Sequence, residues 1–292
     1  MRAYLAEFLS DPRVVDLPRW IWRPILHGLV LRTRPARTAR KYAAIWTPEG
    51  SPLAVHTARQ AERLGAALGA GWRVAHAMRY GAPTLADGMA RLADCRERLV
   101  VPLYPQYSHS TTASVRDRLP AGTPLLEDFH DHPAYIAALA EGVRAHWRRH
   151  GRGERLVMSF HGLPQRAVDR GDPYARQCEA TARALAAALG LPAEGYFLTY
   201  QSRFGPARWL RPYTEPTLVR LAREGVRRVD VVCPGFVADC LETLEEIGVE
   251  ARKAFLASGG GALQRVPCLN DGPAWIDALA RIVREAARRL LG

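Results

Sequence analysis

The sequence has 292 residues, a hydrophobic content of 48% and a formal net charge of +12. This length and apolar content suit a globular protein with one large domain or two of ordinary size. No apolar run of about 18 residues occurs, and the N-terminus lacks the features of a signal peptide, so we expect a cytoplasmic protein.

The distribution of charge and cysteine excludes several classes of function. Arginines are scattered along the chain, and no basic block alternates with aromatic residues, so we do not expect nucleic acid as a partner. The five cysteines lie far apart without a CxxC pair, which argues against a disulfide framework, a zinc site and a cysteine-ligated iron–sulfur cluster. A denser basic and apolar stretch at 19–41 indicates either peripheral contact with an anionic membrane or a partly buried helix with a solvated edge.

Short apolar runs alternate with helical periodicity along the chain, which predicts an α/β fold with a parallel sheet. The predicted strands lie at 72–77, 98–103, 155–159, 195–199 and 229–233. The predicted helices lie at 57–68, 84–92, 133–149, 174–189, 215–223 and 273–291.

An internal repeat divides the chain into two similar halves. When the sequence is shifted by 129 positions, residues 79–105 give eight identities with residues 208–234. We therefore expect two Rossmann-like lobes with parallel sheets related by duplication, at 1–131 and 132–272, and a final helix at 273–292 that packs back on the first lobe. Ligands of open α/β sheets bind beyond the carboxyl ends of the strands, so the cleft between the lobes is the expected site.

His161 directly follows the predicted strand at 155–159 and should point into this cleft. An imidazole, with an ordinary pKa of about 6.5, can accept a proton or bind a metal ion at neutral pH. A histidine satisfied by neighbouring backbone groups is the alternative.

Three acidic residues follow the equivalent strand of the second half. The spacings between Asp239, Glu242 and Glu246 predict that all three lie on one face of a helix. Carboxylates together with an imidazole suit a cation such as ferrous iron, whereas an ordinary solvated helix face is the alternative.

Two further features are suited to an aromatic ligand. The stretch 104–112 combines tyrosines and hydroxyl side chains after a predicted strand, and it forms either one wall of a pocket or a helix cap. Trp209 either stacks on a planar ligand or packs in the core.

Four separated stretches carry a resemblance to a known family. They are LYPQYS at 103–108 with STT at 110–112, SFHGLP at 159–164 with GDPY at 171–174, YQSRFG at 200–205 with Trp209 and Pro212, and CPGF at 233–236 through ETLEE at 242–246. In this order they resemble the ferrochelatases, the terminal enzymes of haem synthesis.

The resemblance implies a chelatase-like fold and an enzyme that inserts ferrous iron into protoporphyrin IX. It implies that His161 and Glu242 contact the iron as catalytic residues, that Asp239 and Glu246 belong to an acidic path, and that Arg79, Tyr107 and Trp209 lie near the porphyrin. It further implies a monomer with no permanently bound cofactor and with ferrous iron as a substrate. Another tetrapyrrole chelatase and a tetrapyrrole-binding protein without turnover are the alternatives.

The N-terminus departs from the family pattern. Members normally begin with a strand and a loop before the helix that matches residues 2–9, and this chain starts inside that helix. We therefore expect the first strand of the first lobe to be missing because of a misplaced start site, and the chain as written to fold poorly and to be weakly active or inactive.

Overall fold

The computed structural model describes residues 1–292. Twelve α-helices follow one another along the chain: α1 Arg2–Leu9, α2 Arg19–Ile25, α3 Leu31–Ile45, α4 Pro52–Leu68, α5 Leu85–Ala90, α6 Thr112–Arg116, α7 Pro133–His150, α8 Gln165–Asp169, α9 Tyr174–Leu189, α10 Thr214–Arg223, α11 Arg252–Ala257 and α12 Pro273–Leu290. Two π-helices occur, the first at Leu26–Val30 and the second at Glu242–Ala251, and a 3₁₀ turn covers Ala193–Gly195. None of the helices is long and apolar enough to cross a lipid bilayer.

A single four-stranded sheet forms the centre of the fold. Its strands are β1 Arg155–His161, β2 Tyr196–Gln201, β3 Arg228–Val232 and β4 Ala262–Arg265, and they lie in the order β2-β1-β3-β4. All three pairings are parallel. The prediction of an α/β fold with a parallel sheet is therefore confirmed.

Helices cover both faces of this sheet, as the alternating side chains of β1 require. Leu156, Met158 and Phe160 belong to a core cluster that also contains buried residues of α7, α9 and α12. Val157 points to the opposite face and joins a second cluster with residues of α10, the second π-helix and α11. Because both faces are covered, functional side chains can reach solvent only at the ends of the strands.

The two strands predicted in the first half do not form a sheet, and this part of the prediction is wrong. Residues 73–77 make no backbone hydrogen bond to another segment. At 98–103 there is one isolated bridge, in which the Val100 N–H donates to Pro124 and the Leu126 N–H donates to Val100, each at 2.9 Å. An apolar run becomes a strand only where a neighbour pairs with its N–H and C=O groups, and the described chain places no ladder beside these two runs.

The internal repeat is nevertheless visible in local structure. Helices α5 and α10 begin at Leu85 and Thr214, which are 129 positions apart. Cis peptide bonds precede Pro83 and Pro212 at the same offset, and each of these prolines accepts a backbone hydrogen bond through its carbonyl group.

The N-terminal helices form a separate small core, in which Leu5, Leu9 and Leu26 are buried together. At the other end of the chain, α12 packs against α7 and α4, and Arg284 donates a hydrogen bond of 2.7 Å to the carbonyl of Ala67 in α4.

Candidate active site

His161 is the last residue of β1 and lies half-buried at the carboxyl end of the sheet. Its Nδ1 lies 2.7 Å from the carbonyl oxygen of Gly162. A carbonyl oxygen only accepts, so Nδ1 carries the proton of the neutral ring and Nε2 keeps its lone pair. The side chain therefore presents a free acceptor that can take a proton or bind a metal ion.

Gly162 brings the chain close to the neighbouring strand. Parallel pairing places His161 opposite Gln201, and the Gly162 N–H donates to the Gln201 carbonyl at 2.7 Å. A Cβ atom at position 162 would lie 2.6 Å from that carbonyl oxygen and 3.1 Å from the Trp209 ring. Only glycine allows this approach, so the residue after His161 fixes the position of the imidazole.

Glu246 is held by the residue that follows β2. The Ser202 N–H donates to Oε1 at 2.7 Å, and the Ser202 hydroxyl donates to Oε2 at 2.5 Å. Ser202 has a φ of 64°, which turns its backbone N–H towards the carboxylate. Burial raises the pKa of Glu246 and the charge of Glu242 raises it further, whereas the Ser202 hydrogen bonds and His161 act to lower it. The three candidate residues therefore interact electrostatically.

Glu242 is the first residue of the second π-helix, and its backbone carbonyl accepts a 2.8 Å hydrogen bond from Gln201 Nε2. Its carboxylate forms no ion pair, and it lies beside the Cys240 thiol, whose pKa is raised by burial and then by Glu242. Two tyrosines of the N-terminal helices lie close enough for the charge of Glu242 to affect their pKa values. Burial and then Glu242 raise the pKa of Tyr42 to about 12, and the same two causes contribute to the raised pKa of Tyr4. No cationic side chain therefore competes for this carboxylate, which lies near two phenol groups of the N-terminal helices.

Asp239 does not share a helix face with Glu242 and Glu246, so this prediction is wrong. The chain is irregular from the end of β3 to Cys240, and the helix starts only after Asp239. The Asp239 carboxylate accepts hydrogen bonds from Arg265 at 2.7 Å, from Thr243 at 2.9 Å and from Asn270 at 2.9 Å. These partners connect the start of the helix to the last residue of β4 and to the segment that follows it. The Asp239 carboxylate thus stabilises the fold at this point.

Arg79 lies in the first half and is almost completely buried. Its guanidinium forms an ion pair with Asp11 and donates from Nε to the Ser114 hydroxyl at 2.7 Å. The Tyr80 hydroxyl donates to the same Asp11 carboxylate at 2.8 Å. Burial acts to raise the pKa of Asp11, but the hydrogen bonds and the Arg79 charge outweigh it and lower this pKa. The Arg79 cation is therefore already paired within the protein.

The two aromatic candidates differ in exposure. Tyr107 is half-buried, and its backbone N–H donates to Gln177 Oε1 at 2.6 Å. Trp209 is buried, with only 4% of its surface exposed, and its indole N–H donates to the Phe204 carbonyl at 3.0 Å. Trp209 packs beneath Gly162 and Phe204, so the core-packing alternative describes its position.

Sequence reasoning assigned no role to Tyr4, Tyr42, Gln201 or Ser202. A usable signal existed for the last two, since the motif YQSRFG directly follows a predicted strand next to the one that ends at His161. No local signal marks Tyr42, because 200 positions separate it from Glu242.

An imidazole nitrogen with a free lone pair, an unpaired carboxylate and a second carboxylate with a raised pKa meet at the carboxyl ends of β1 and β2. They offer the nitrogen and oxygen ligand types that suit a divalent cation, and they include groups that can accept protons. The fold and the site define an α/β protein with imidazole and carboxylate groups gathered at the carboxyl ends of its parallel strands.

The comparisons with known proteins identify the family. The sequence model of the ferrochelatase family matches residues 1–287. A curated ferrochelatase of Azoarcus sp. strain BH72 is 58% identical over 98% of this chain and 83% of its own length. One of Aromatoleum aromaticum is 56% identical over 97% of this chain and 82% of its own length. This chain belongs to the ferrochelatase family.

A solved structure supports the same fold. It is described as the structure of CbiX, the terminal enzyme for biosynthesis of siroheme in denitrifying bacteria, and it aligns with a TM-score of 0.52 at 19% identity. The alignment covers 81% of this chain and 94% of the other chain. At this identity the likeness concerns the fold alone.

Proposed function

We propose that this protein inserts ferrous iron into protoporphyrin IX to form protohaem, the last step of haem biosynthesis. The observation that carries the proposal is the meeting of His161, Glu242 and Glu246 at one end of the sheet, in a chain of the ferrochelatase family. Iron is a substrate in this reaction, and the protein needs no permanently bound cofactor.

Metal insertion requires the removal of two pyrrole protons and the delivery of a dehydrated cation to one face of the ring. The neutral His161 ring can take a proton at Nε2, since Nδ1–H is committed to Gly162. Glu242 has no competing cationic partner and can bind iron through its carboxylate. Burial raises the pKa of Glu246, so this carboxyl group holds a proton more readily than an exposed glutamate does.

The porphyrin would lie against the half-buried Tyr107 and the phenol rings of Tyr4 and Tyr42. Trp209 would act from below, since it supports Gly162 and hence His161. Arg79 would act through the loop that it anchors to Asp11, because its guanidinium is already paired. Asp239 would act by fixing the start of the second π-helix.

We also propose that the protein works in the cytoplasm in contact with an anionic membrane surface. All five cysteines are free thiols, as a reducing compartment favours. Trp20 is 78% exposed and Leu29 is 60% exposed on the basic N-terminal helices. A poorly soluble porphyrin would be concentrated at such a membrane surface. The protein should sediment together with anionic vesicles. The double variant Trp20→Ala, Leu29→Ala should stay in the supernatant.

The test is an anaerobic assay in which the purified protein receives ferrous iron and protoporphyrin IX. We expect loss of porphyrin fluorescence together with the absorbance of protohaem. Porphyrin binding without metalloporphyrin would overturn the proposal and leave a binding protein. Insertion of cobalt but not iron would indicate a different chelatase.

A further inference from the structure

A lysine of α3 joins two acidic residues of the helix that carries Glu242. Lys41 Nζ lies 2.9 Å from Glu245 Oε2 and 2.7 Å from Glu250 Oε1. The lysine side chain is 28% exposed and that of Glu245 only 12%, so solvent screens the first pair incompletely. These contacts connect the N-terminal helices to the candidate active site.

The spacing of the two acids fits a π-helix and not an α-helix. Glu245 and Glu250 are five positions apart, and a π-helix closes its hydrogen bonds over five residues, which brings such positions close together on one side of the helix. In an α-helix, five residues correspond to a rotation of about 500°, which would leave the two side chains about 140° apart around the axis. One ammonium group joins both carboxylates in the π form, whereas the α form would turn the two side chains in different directions.

The choice of residue type supports the same reading. The chain contains 41 lysines and arginines, of which only Lys41 and Lys253 are lysine. An ammonium group is a compact charge whose donors rotate freely, so it can join two carboxylates that lie on different turns. Burial acts to lower the pKa of Lys41, but its hydrogen bonds to Glu250 and Glu245 outweigh this and raise it.

Lys41 also immediately precedes Tyr42, which lies near Glu242. Glu242 and Glu246 lie on the same π-helix as the two acids that Lys41 binds. If residues 242–251 changed from the π form to the α form, the number of residues per turn would change. The side chains of Glu242 and Glu246 would then point in other directions relative to His161.

We propose that Lys41 is a positioning residue that holds residues 242–251 in the π register and thereby keeps Glu242 and Glu246 beside His161. The expected effect of Lys41 on catalysis rests on the proposed function, whereas its effect on the helical form of residues 242–251 does not.

The test compares Lys41→Met with the matched control Lys253→Met, since Lys253 is exposed and forms no ion pair. Hydrogen exchange of the amides at 242–251 is measured together with kcat and KM for iron insertion. In Lys41→Met we expect exchange in this segment to be about tenfold faster. We expect kcat to fall about tenfold with KM changed by less than about twofold, because Lys41 does not touch the porphyrin. Lys253→Met should match the wild type.

Two further variants keep the test decisive if Lys41→Met does not fold. Glu250→Gln removes only the exposed half of the contact and should shift exchange and kcat in the same direction by a smaller factor. Lys41→Arg retains the charge but replaces the compact ammonium group, so its kcat should lie between those of Lys41→Met and the wild type. Wild-type exchange at 242–251 in both Lys41→Met and Glu250→Gln would overturn the inference, and so would faster exchange with an unchanged kcat. A wild-type protein that inserts no iron would instead refute the proposed function, and the exchange data would then decide the structural part alone.

Discussion

Ser202 and Glu246 form a two-point contact in which the serine donates both its backbone N–H and its hydroxyl to the two carboxylate oxygens, at 2.7 Å and 2.5 Å. Glu246 is half-buried, and the charges of His161 and Glu242 both affect its pKa. The contact sets both the direction of the carboxylate and its affinity for a proton.

Replacing Ser202 by alanine removes the hydroxyl donor and keeps the backbone one. Because the hydroxyl hydrogen bond lowers the pKa of Glu246, its loss should raise this pKa further. We expect kcat to fall about tenfold and the acid limb of its pH profile to move to higher pH. Ser10→Ala, at an exposed helix end, is the control. An unchanged pH profile would show that Ser202 does not set the protonation of Glu246.

Replacing Glu246 by glutamine should make the protein more stable at high pH while making it less active. The folded state raises this pKa, so it binds the proton more tightly than the unfolded state does. Above the pKa of Glu246 in the folded state, the ionised carboxylate therefore destabilises the wild-type protein. As the pH falls through this pKa, the carboxylate is protonated and the wild type regains that stability. Thermal unfolding between pH 5 and pH 9, compared with the wild type, measures this difference. A variant that is less stable than the wild type at pH 9 would contradict the assignment.

Gly162→Ala should disturb the site through packing alone. The new Cβ would lie 2.6 Å from the Gln201 carbonyl oxygen, so the chain must shift beside His161. We expect a loss of about 1–3 kcal/mol in the free energy of unfolding and a clear fall in kcat. Gly142→Ala on helix α7 is the matched control, since no atom lies within 4 Å of the position that its methyl group would take, and it should be neutral or stabilising by up to about 1 kcal/mol. Equal stabilities of the two variants would refute the close contact.

Asp239→Asn should act on stability first. It leaves Arg265 without its buried partner, which we expect to cost about 3 kcal/mol in the free energy of unfolding. Glu242→Gln is the comparison, because this carboxylate has no ion pair to lose and its replacement should reduce kcat with little change in stability. Denaturant unfolding of both variants distinguishes them. If an Asp239 variant keeps full stability but has low activity, Asp239 acts in the acidic path and not through stability.

The strands and helices of the second half could be predicted from the sequence, and so could the position of His161 at the end of a strand. The carboxyl end of β1 placed His161 at the cleft, because parallel strands covered on both faces leave only their ends open. Asp239 was misplaced because a spacing of three residues implies a shared face only where the chain is helical, and the segment before Leu241 is irregular. The runs at 72–77 and 98–103 have the composition of strands, but a ladder depends on a partner that composition does not specify. Tyr42 and Lys41 reach the site through tertiary packing of α3, which no local pattern reveals.

We propose that His161 and Glu242 carry out metal insertion. The most direct measurement is the rate of ferrous iron insertion into protoporphyrin IX by the wild type, His161→Ala and Glu242→Ala, with thermal unfolding recorded for each. We expect both variants to lose at least about 100-fold in kcat while their unfolding midpoints stay within about 3 °C of the wild type. Insertion at a near wild-type rate by both folded variants would contradict the account.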